Sequence, residues 1–245
     1  MVGSVPPTGS TADPLEPRLT ELVVGLARVE ARIAAGCLAA GRDRAEVTLV
    51  VVTKTYPASD VRLLAGLGIR EVGESRDQEA APKAAECADL ELSWHFVGRL
   101  QSNKARSVAR YADAVHSIDR LSLVGALGRA TVEADRTVGG FVQVSLDGDP
   151  DRGGMPVDGV PELADRIAGT DGLTLAGVMA VAPMGTDPDA AFDLLQAVSQ
   201  RLLGTHPGAT AISAGMSGDL EEALRHGATH LRVGSAVLGV RPPLE

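Results

Sequence analysis

Hydrophobic residues in the first part of the chain recur every three or four positions, which is the spacing of an amphipathic helix. The pattern extends from Leu19 to Arg42 and predicts one long N-terminal helix. Beyond it, short apolar runs rich in β-branched residues alternate with amphipathic or alanine-rich stretches. We expect eight strands, at 47–53, 69–72, 92–97, 114–118, 140–146, 173–182, 210–214 and 229–233.

The stretches between the expected strands have helical patterns, and several begin with Asp, Ser or Pro, which are common at helix starts. They lie at 58–66, 76–87, 102–111, 119–136, 158–168, 187–204 and 219–227. Strands that alternate with helices in this way are typical of a parallel sheet covered by helices. Together with a length of 245 residues, the pattern predicts an α/β fold, a single (β/α)8 TIM barrel with an extra N-terminal helix.

An open, doubly wound sheet has the same alternation and is the alternative architecture. It would place a glycine-rich turn after the first strand, whereas this chain has Lys54-Thr-Tyr-Pro57 there and no GxGxxG after any expected strand. The segment 98–105 has the length of a P-loop, but Asn103 replaces its second glycine and Ala105 replaces its Ser or Thr. These departures favour the closed barrel.

Composition narrows the classes of partner. Residues 1–17 are rich in Pro, Gly, Ser and Thr and lack the features of a signal peptide, so we expect a disordered tail before a barrel at 18–245. A net charge of -9 would repel nucleic-acid phosphates and anionic bilayers, and an aromatic content of 2% disfavours base stacking. No apolar run approaches the roughly 20 residues of a membrane span. We therefore expect a cytoplasmic monomer that binds neither nucleic acid nor membranes. We also expect Cys37 and Cys87 to be buried small hydrophobic residues.

Lys54 ends the apolar run 47–53 and is followed at once by Thr55-Tyr56-Pro57. A cationic side chain at the end of a buried strand must be paired, desolvated or chemically converted. The pKa of a lysine amine, about 10.4 in water, falls on desolvation, and the neutral amine can then attack a carbonyl to form a Schiff base. The simpler alternative is a lysine that begins a solvated loop.

Polar and glycine-rich segments follow the last two expected strands, where TIM barrels commonly bind phosphate. The seventh run leads into Ser213, Met216 and Ser217, and the eighth ends with Arg232 before Gly234-Ser235. Taken singly, Ser217 could be a helix cap and the glycines turn residues, but their pairing at two neighbouring strand ends favours a phosphate cradle.

A ligand with both an aldehyde and a phosphate would span Lys54 and this cradle, and pyridoxal 5′-phosphate (PLP) is such a ligand. Arg232 could face the pyridine nitrogen of PLP; the alternative is an ion pair with a carboxylate at the barrel rim. Because an arginine keeps its proton, it would leave that nitrogen unprotonated and the ring a weak electron sink.

The sequence resembles the pyridoxal phosphate homeostasis family, also called the YggS or PROSC family, from Leu19 to Arg241. The matching motifs are Val51-Val52-Thr53-Lys54-Thr55, Trp94-His95-Phe96-Val97-Gly98, Leu100-Gln101-Ser102-Asn103-Lys104, Gly215-Met216-Ser217 and Val233-Gly234-Ser235. The resemblance implies a barrel like the N-terminal domain of alanine racemase, a Schiff base on Lys54, and a carrier or regulator of PLP that can serve PLP-dependent apoenzymes. It further implies that Ser217 and the backbone of Gly234 and Ser235 hold the phosphate and that Arg232 faces the pyridine nitrogen.

Four positions depart from the family pattern. Ser75 stands where Asn is usual, Arg99 where Pro is common, and Ser235 where Thr is common. Arg152 stands near the position of a second lysine in many members, and a guanidinium cannot form an imine. None of these changes touches Lys54.

Two enzymatic alternatives remain open. A PLP-dependent amino-acid racemase of the alanine racemase type needs a second base, a tyrosine from a C-terminal domain. This chain ends at Glu245, directly after the expected barrel, and has only two tyrosines, Tyr56 and Tyr111, of which Tyr56 is too close to Lys54 to serve the opposite face. A Schiff-base aldolase usually has its lysine on a later strand. We therefore expect no robust catalysis.

The five histidines have no metal-ligand spacing. We expect His116, His206, His226 and His230 to be structural or solvated, because they fall on different elements. His95 lies within the third expected strand and is equally compatible with the ligand site and with the core.

Overall fold

The computed structural model describes residues 15–149 and 152–239, and its strands form a closed, all-parallel barrel in the order β1 to β8, with β8 pairing with β1. The strands are β1 (Thr48–Val52), β2 (Glu71–Glu74), β3 (Ser93–Phe96), β4 (Ala114–Ile118), β5 (Val138–Gln143), β6 (Leu173–Met179), β7 (Ala211–Ser213) and β8 (His230–Val233). All eight coincide with the expected apolar runs to within a few residues. The barrel prediction is therefore confirmed and the open sheet is wrong.

Helices cover the outside of the barrel in the expected alternation. They are α1 (Leu15–Ala39), α2 (Ala58–Gly66), α3 (Asp77–Glu86), α4 (Ala105–Val108), α5 (Leu121–Glu133), α6 (Val160–Ala168), α7 (Pro188–Leu203), α8 (Leu220–Arg225) and α9 (Ser235–Leu238). Helix α1 begins three residues inside the segment expected to be a tail, and residues 1–14 of that segment lie outside the described residues. The stretch 102–111 forms only a 3-10 turn and the short α4, because Ser and Asn at its start compete for backbone hydrogen bonds.

Side chains of the barrel strands alternate between two layers. Val51, Leu231 and Val233 are fully buried between the sheet and the helices. On the inner face, Ala114, Phe141 and Met179 form a small apolar cluster. Other inward positions are polar and include Glu71, His95, His116, Ser213, His230 and Arg232. A pattern of apolar runs does not predict such an interior.

Helix α1 packs against α8 and α9 and fixes the loop that precedes α8. A Cβ atom on Gly25 would lie 2.2 Å from the carbonyl oxygen of Val237, so glycine is needed for this close approach. Arg32 donates to the carbonyl oxygen of Ser217 over 2.9 Å and to both carboxylate oxygens of Glu221 over 2.7 Å. The extra N-terminal helix thus positions the expected phosphate loop.

Cys37 and Cys87 are buried at 1% and 0% exposure, as expected for small hydrophobes. Within residues 15–149 and 152–239, no helix has the length and hydrophobicity needed to cross a membrane.

Candidate functional site

Lys54 lies in the turn that follows β1, two residues beyond Val52, and its side chain is half-buried. The next residue, Thr55, has a φ of 70°, which a β-branched side chain adopts rarely and at a cost of about 1–3 kcal/mol. The hydroxyl of Thr55 is buried and has no hydrogen-bond partner among the described residues. The Lys54 turn is therefore held in a strained conformation by its surroundings.

Helix α3 and strand β2 supply the groups that hold this turn. Lys83 donates to the carbonyl oxygen of Thr53 over 2.9 Å and lies 2.5 Å from Glu74 Oε1. The Thr53 hydroxyl donates to the same carboxylate oxygen over 2.7 Å, and the backbone N–H of Thr55 donates to Glu79 Oε2 over 3.1 Å. Three contacts thus fix the residues on either side of Lys54.

The Lys83–Glu74 pair is nearly inaccessible, with side-chain exposures of 7% and 1%. Burial raises the pKa of Glu74, and Lys83 and Thr53 oppose the rise. The sequence places Lys83 on a helix but does not show that it is buried beneath the Lys54 turn. Its four-residue distance from Glu79 and its place on an alanine-rich face were the available signals.

The residues expected to form a phosphate cradle lie together as a cluster of hydroxyl and backbone N–H groups. Ser217 Oγ lies 3.5 Å from Ser235 Oγ and 3.4 Å from the backbone nitrogen of Ala236. Gly234 precedes the first residue of α9. Ser217 does not cap α8, since Asp219 holds that position and accepts from the backbone N–H of Met216 over 2.6 Å. Ser217 therefore does not cap α8, but its hydroxyl contacts the backbone N–H of Ala236 in the first turn of α9.

Arg232 lies in β8 with 5% exposure, inside the barrel. Its Nη1 donates to Ser213 Oγ over 2.6 Å and its Nη2 donates to the carbonyl oxygen of Ala180 over 2.8 Å. Among the described residues no carboxylate forms an ion pair with it, so the expected alternative of a rim salt bridge is not observed. Burial lowers the pKa of Arg232 to about 10, Asp219 opposes the change, and the side chain stays cationic at neutral pH.

Three of the histidines meet inside the barrel. The rings of His95 and His116 are joined by a 2.8 Å hydrogen bond, and the His230 ring centroid lies 6.2 Å from each of them. His116 also stacks on Phe141 at 4.2 Å. By contrast His206 and His226 pair with surface carboxylates.

His116 and His230 lie together because residues far apart in sequence fall on inward positions of different strands, and their expected structural role stays a prediction. The alternation of inward and outward side chains along each strand could have indicated that these histidines face the barrel interior. Among residues 15–149 and 152–239 no cluster of His, Cys, Asp and Glu has the geometry of a metal site.

The histidines make stability depend on pH. Burial and the neighbouring His95 lower the pKa of His230 to about 4, so it stays neutral in the folded protein while an unfolded histidine takes up a proton below about 6.5. The resulting stability is complete above pH 6.5 and is lost as the pH falls towards 4. We expect His230→Phe to flatten the decline in the free energy of unfolding over this range by up to about 3 kcal/mol. Urea titrations of the cofactor-free protein at several pH values would measure this decline, and His206→Phe is the control. The same dependence of the unfolding free energy on pH in the wild-type protein and both variants would contradict the prediction.

Neither tyrosine has a free hydroxyl. Tyr56 donates to the carbonyl oxygen of Gly239 over 2.9 Å. The Tyr111 hydroxyl lies 3.5 Å from Asp77 Oδ1, and burial raises the pKa of Tyr111. Arg152 donates to the carbonyl oxygen of Ala182 over 3.0 Å.

Comparisons with known proteins agree with this fold. The family model described as alanine racemase, N-terminal domain, matches residues 29–242. Proteins named pyridoxal phosphate homeostasis protein are 45% identical over 241 residues in Mycobacterium leprae and 46% identical over 244 residues in Mycobacterium tuberculosis. These matches cover 91% of this chain and 93% and 94% of the relatives.

Among solved structures, PipY of Synechococcus elongatus with PLP bound superposes with a TM-score of 0.79 at 31% identity, covering 89% of this chain and 100% of that one. Since the family model spans most of the chain and relatives above 40% identity cover nearly all of it, this chain belongs to the pyridoxal phosphate homeostasis protein family.

Proposed function

We propose that this protein binds PLP at the carboxyl ends of β7, β8 and β1 and serves in the homeostasis of that cofactor. The observation that carries the proposal is the convergence of three groups on adjacent strands. The Ser217–Ser235 cradle follows β7 and β8, Arg232 lies within β8, and Lys54 follows β1. A phosphate, a ring nitrogen and an aldehyde carbon on one small molecule require such an arrangement.

The donor set matches the chemistry of PLP. Hydroxyl groups of Ser217 and Ser235 and the backbone N–H groups at the start of α9 suit a phosphate dianion. Gly215, at a φ of 88°, packs so closely that a Cβ atom would lie 2.7 Å from Ala223 Cβ, and a Cβ on Gly234 would lie 3.1 Å from the carbonyl oxygen of Val52, so glycine lets both loops pack against the barrel. When bound, the cofactor supplies an aldehyde that condenses with a primary amine and releases water, and Lys54 is the lysine that we assign to this bond.

Arg232 makes the site better suited to storage than to catalysis. A guanidinium only donates hydrogen bonds, so the ring nitrogen that it faces accepts one and stays unprotonated. The ring is then a weak electron sink for carbanion chemistry. Ser213 anchors Arg232 directly, and Met216, 38% exposed, borders the cradle loop. We infer a cytoplasmic, monomeric carrier that can hand PLP to apoenzymes, and not a racemase.

An absorption spectrum of the PLP-loaded protein tests this function. We expect a visible band that disappears on borohydride reduction, with the reduced label on the peptide that contains Lys54. Label predominantly on Lys83 or Lys104 would contradict the assignment. A protein that shows no such band and releases all its PLP on dialysis would contradict the function itself.

Affinity provides a second test of the cradle. Ser217→Ala removes a hydrogen bond to a charged phosphate, worth about 1.5–3 kcal/mol, so we expect the Kd for PLP to rise roughly 10- to 150-fold. Pyridoxal, which lacks the phosphate, should bind the wild-type protein much more weakly than PLP and should not distinguish the two proteins.

Equilibrium dialysis would measure both ligands, and Ser59→Ala, an exposed serine on α2, is the matched control. Equal affinity of the wild-type protein for PLP and pyridoxal would show that the phosphate binds elsewhere.

A further inference from the structure

The polar groups inside the barrel form one continuous chain of hydrogen bonds. Arg232 Nη1 lies 2.6 Å from Ser213 Oγ, and Ser213 Oγ lies 2.8 Å from His116 Nδ1. His116 Nε2 is 2.8 Å from His95 Nδ1, and His95 Nε2 is 2.6 Å from Glu71 Oε2. This relay, from Arg232 through Ser213, His116 and His95 to Glu71, runs from near the carboxyl end of β8 to the amino end of β2.

The relay has a single direction that satisfies every group. Arg232 can only donate, so the Ser213 oxygen accepts and its hydrogen is free for His116 Nδ1. Burial and nearby positive charge lower the pKa of His116 well below its usual value, so its ring is neutral and carries its hydrogen on Nε2. That hydrogen points to His95 Nδ1, which leaves the His95 hydrogen on Nε2.

The far end of the relay is a carboxylate. Burial acts to raise the pKa of Glu71, but the hydrogen bond from His95 is the largest opposing effect, and the pKa lies below the usual value. The ionised oxygen therefore accepts from His95 Nε2. All donors in the relay point away from Arg232 and all acceptors towards it.

The opposite direction leaves a group unsatisfied. If His116 donated from Nδ1, Ser213 would receive two hydrogens and its own would have no acceptor among the hydrogen bonds of the relay. His95 would then have to be cationic to avoid facing the Glu71 carboxylate with a lone pair. A buried hydroxyl without an acceptor is costly, so the first direction is favoured.

We propose that Ser213, His116, His95 and Glu71 are positioning residues that orient Arg232 and balance its charge, and so set how strongly the protein prefers a ligand with an acceptor nitrogen in its ring. The proposal rests on the function proposed above. Arg232 is a buried cation with no carboxylate beside it among the described residues. Besides the longer-range attraction of Asp219, its charge is compensated by aligned dipoles that end on a remote, 31% exposed carboxylate.

A pair of ligands separates this role from ordinary packing. PLP and its 1-deaza analogue, in which C–H replaces the ring nitrogen, differ only where Arg232 acts. We expect the wild-type protein to prefer PLP by about tenfold or more in equilibrium dialysis. His116→Phe keeps a ring that can stack on Phe141 but removes both nitrogens, and it should reduce this preference about fivefold or more. Glu71→Gln keeps a hydrogen-bond acceptor but removes the charge, and it should reduce the preference for PLP over the analogue about twofold or more.

His230→Phe is the matched control, because His230 lies among the same rings but bonds to Thr229 and not to the relay. The preference of the His230→Phe protein for PLP over the 1-deaza analogue should equal that of the wild-type protein. An unchanged preference in both relay variants, or the same loss of affinity for both ligands, would overturn the proposal. A wild-type protein that binds neither ligand would instead contradict the proposed function.

A measurement on the wild-type protein keeps the proposal testable if His116→Phe does not fold. Two-bond nitrogen–proton correlations on histidine-labelled, cofactor-free protein report the tautomers directly. We expect neutral rings with hydrogen on Nε2 for both His95 and His116. Hydrogen on Nδ1 of His116 would overturn the relay direction, whether or not PLP binds.

Discussion

Replacing Lys54 with alanine is expected to abolish the visible absorption band of the PLP-loaded protein and all borohydride-fixed label. The reason is that an imine requires a primary amine, and Lys54 alone among the lysines follows a barrel strand beside the cradle. Lys54→Arg should lose the band as completely, since a guanidinium forms no imine under these conditions. Some PLP should still bind through its phosphate, with an affinity that dialysis can measure.

Lys104→Ala is the matched control for this experiment. Lys104 lies in the loop after β3 at 34% side-chain exposure, with Asp77 at 3.7 Å as its ion-pair partner. Its removal should leave the band at full intensity. A Lys54→Ala protein that retained the band would show that another amine carries the cofactor.

Removing Lys83 is expected to destabilise the protein by about 3–5 kcal/mol, the range typical of breaking a buried ion pair from one side. Lys83→Met deletes the charge and leaves the Glu74 carboxylate buried without its partner. One oxygen of that carboxylate, Oε2, has no hydrogen-bond partner among the described residues, so only the Thr53 hydroxyl would remain to compensate the charge. The free energy of unfolding in urea would measure the loss.

A double replacement separates the charge from the packing. Lys83→Met with Glu74→Leu removes both ions, and most of the lost stability should return because apolar side chains of similar volume tolerate the site. Lys104→Met, which breaks an ion pair at the surface, should cost less than about 1 kcal/mol. Equal losses of unfolding free energy in Lys83→Met and Lys104→Met would mean that the buried Lys83–Glu74 pair stabilises the protein no more than the Lys104–Asp77 pair does.

The Lys83 variant also bears on the site. Lys83 holds the carbonyl oxygen of Thr53, directly before Lys54, and Glu79 holds the backbone of Thr55 directly after it. The strained φ of Thr55 persists because these contacts determine it. Stability and the placement of the Lys54 amine are therefore coupled through helix α3.

The order of strands and helices, the barrel and the main candidate residues follow from the sequence alone. Each depends on local information: β-branched runs predict strands, and polar or glycine-rich residues at strand ends predict ligand loops. Lys54 and the Ser217 and Gly234-Ser235 loops could be identified because they stand at such ends. The resemblance to a known family added their expected roles.

Only the tertiary structure brought the inner faces of the strands together. His116 and Ser213 are hydrogen-bonded although they lie 97 positions apart, and Arg32 of the N-terminal helix reaches Ser217 across 185 positions. The buried Lys83–Glu74 pair likewise depends on how α3 packs over β2. No local pattern encodes these contacts, because barrel closure sets which inward side chains meet and the low dielectric inside makes their hydrogen bonds and charges matter.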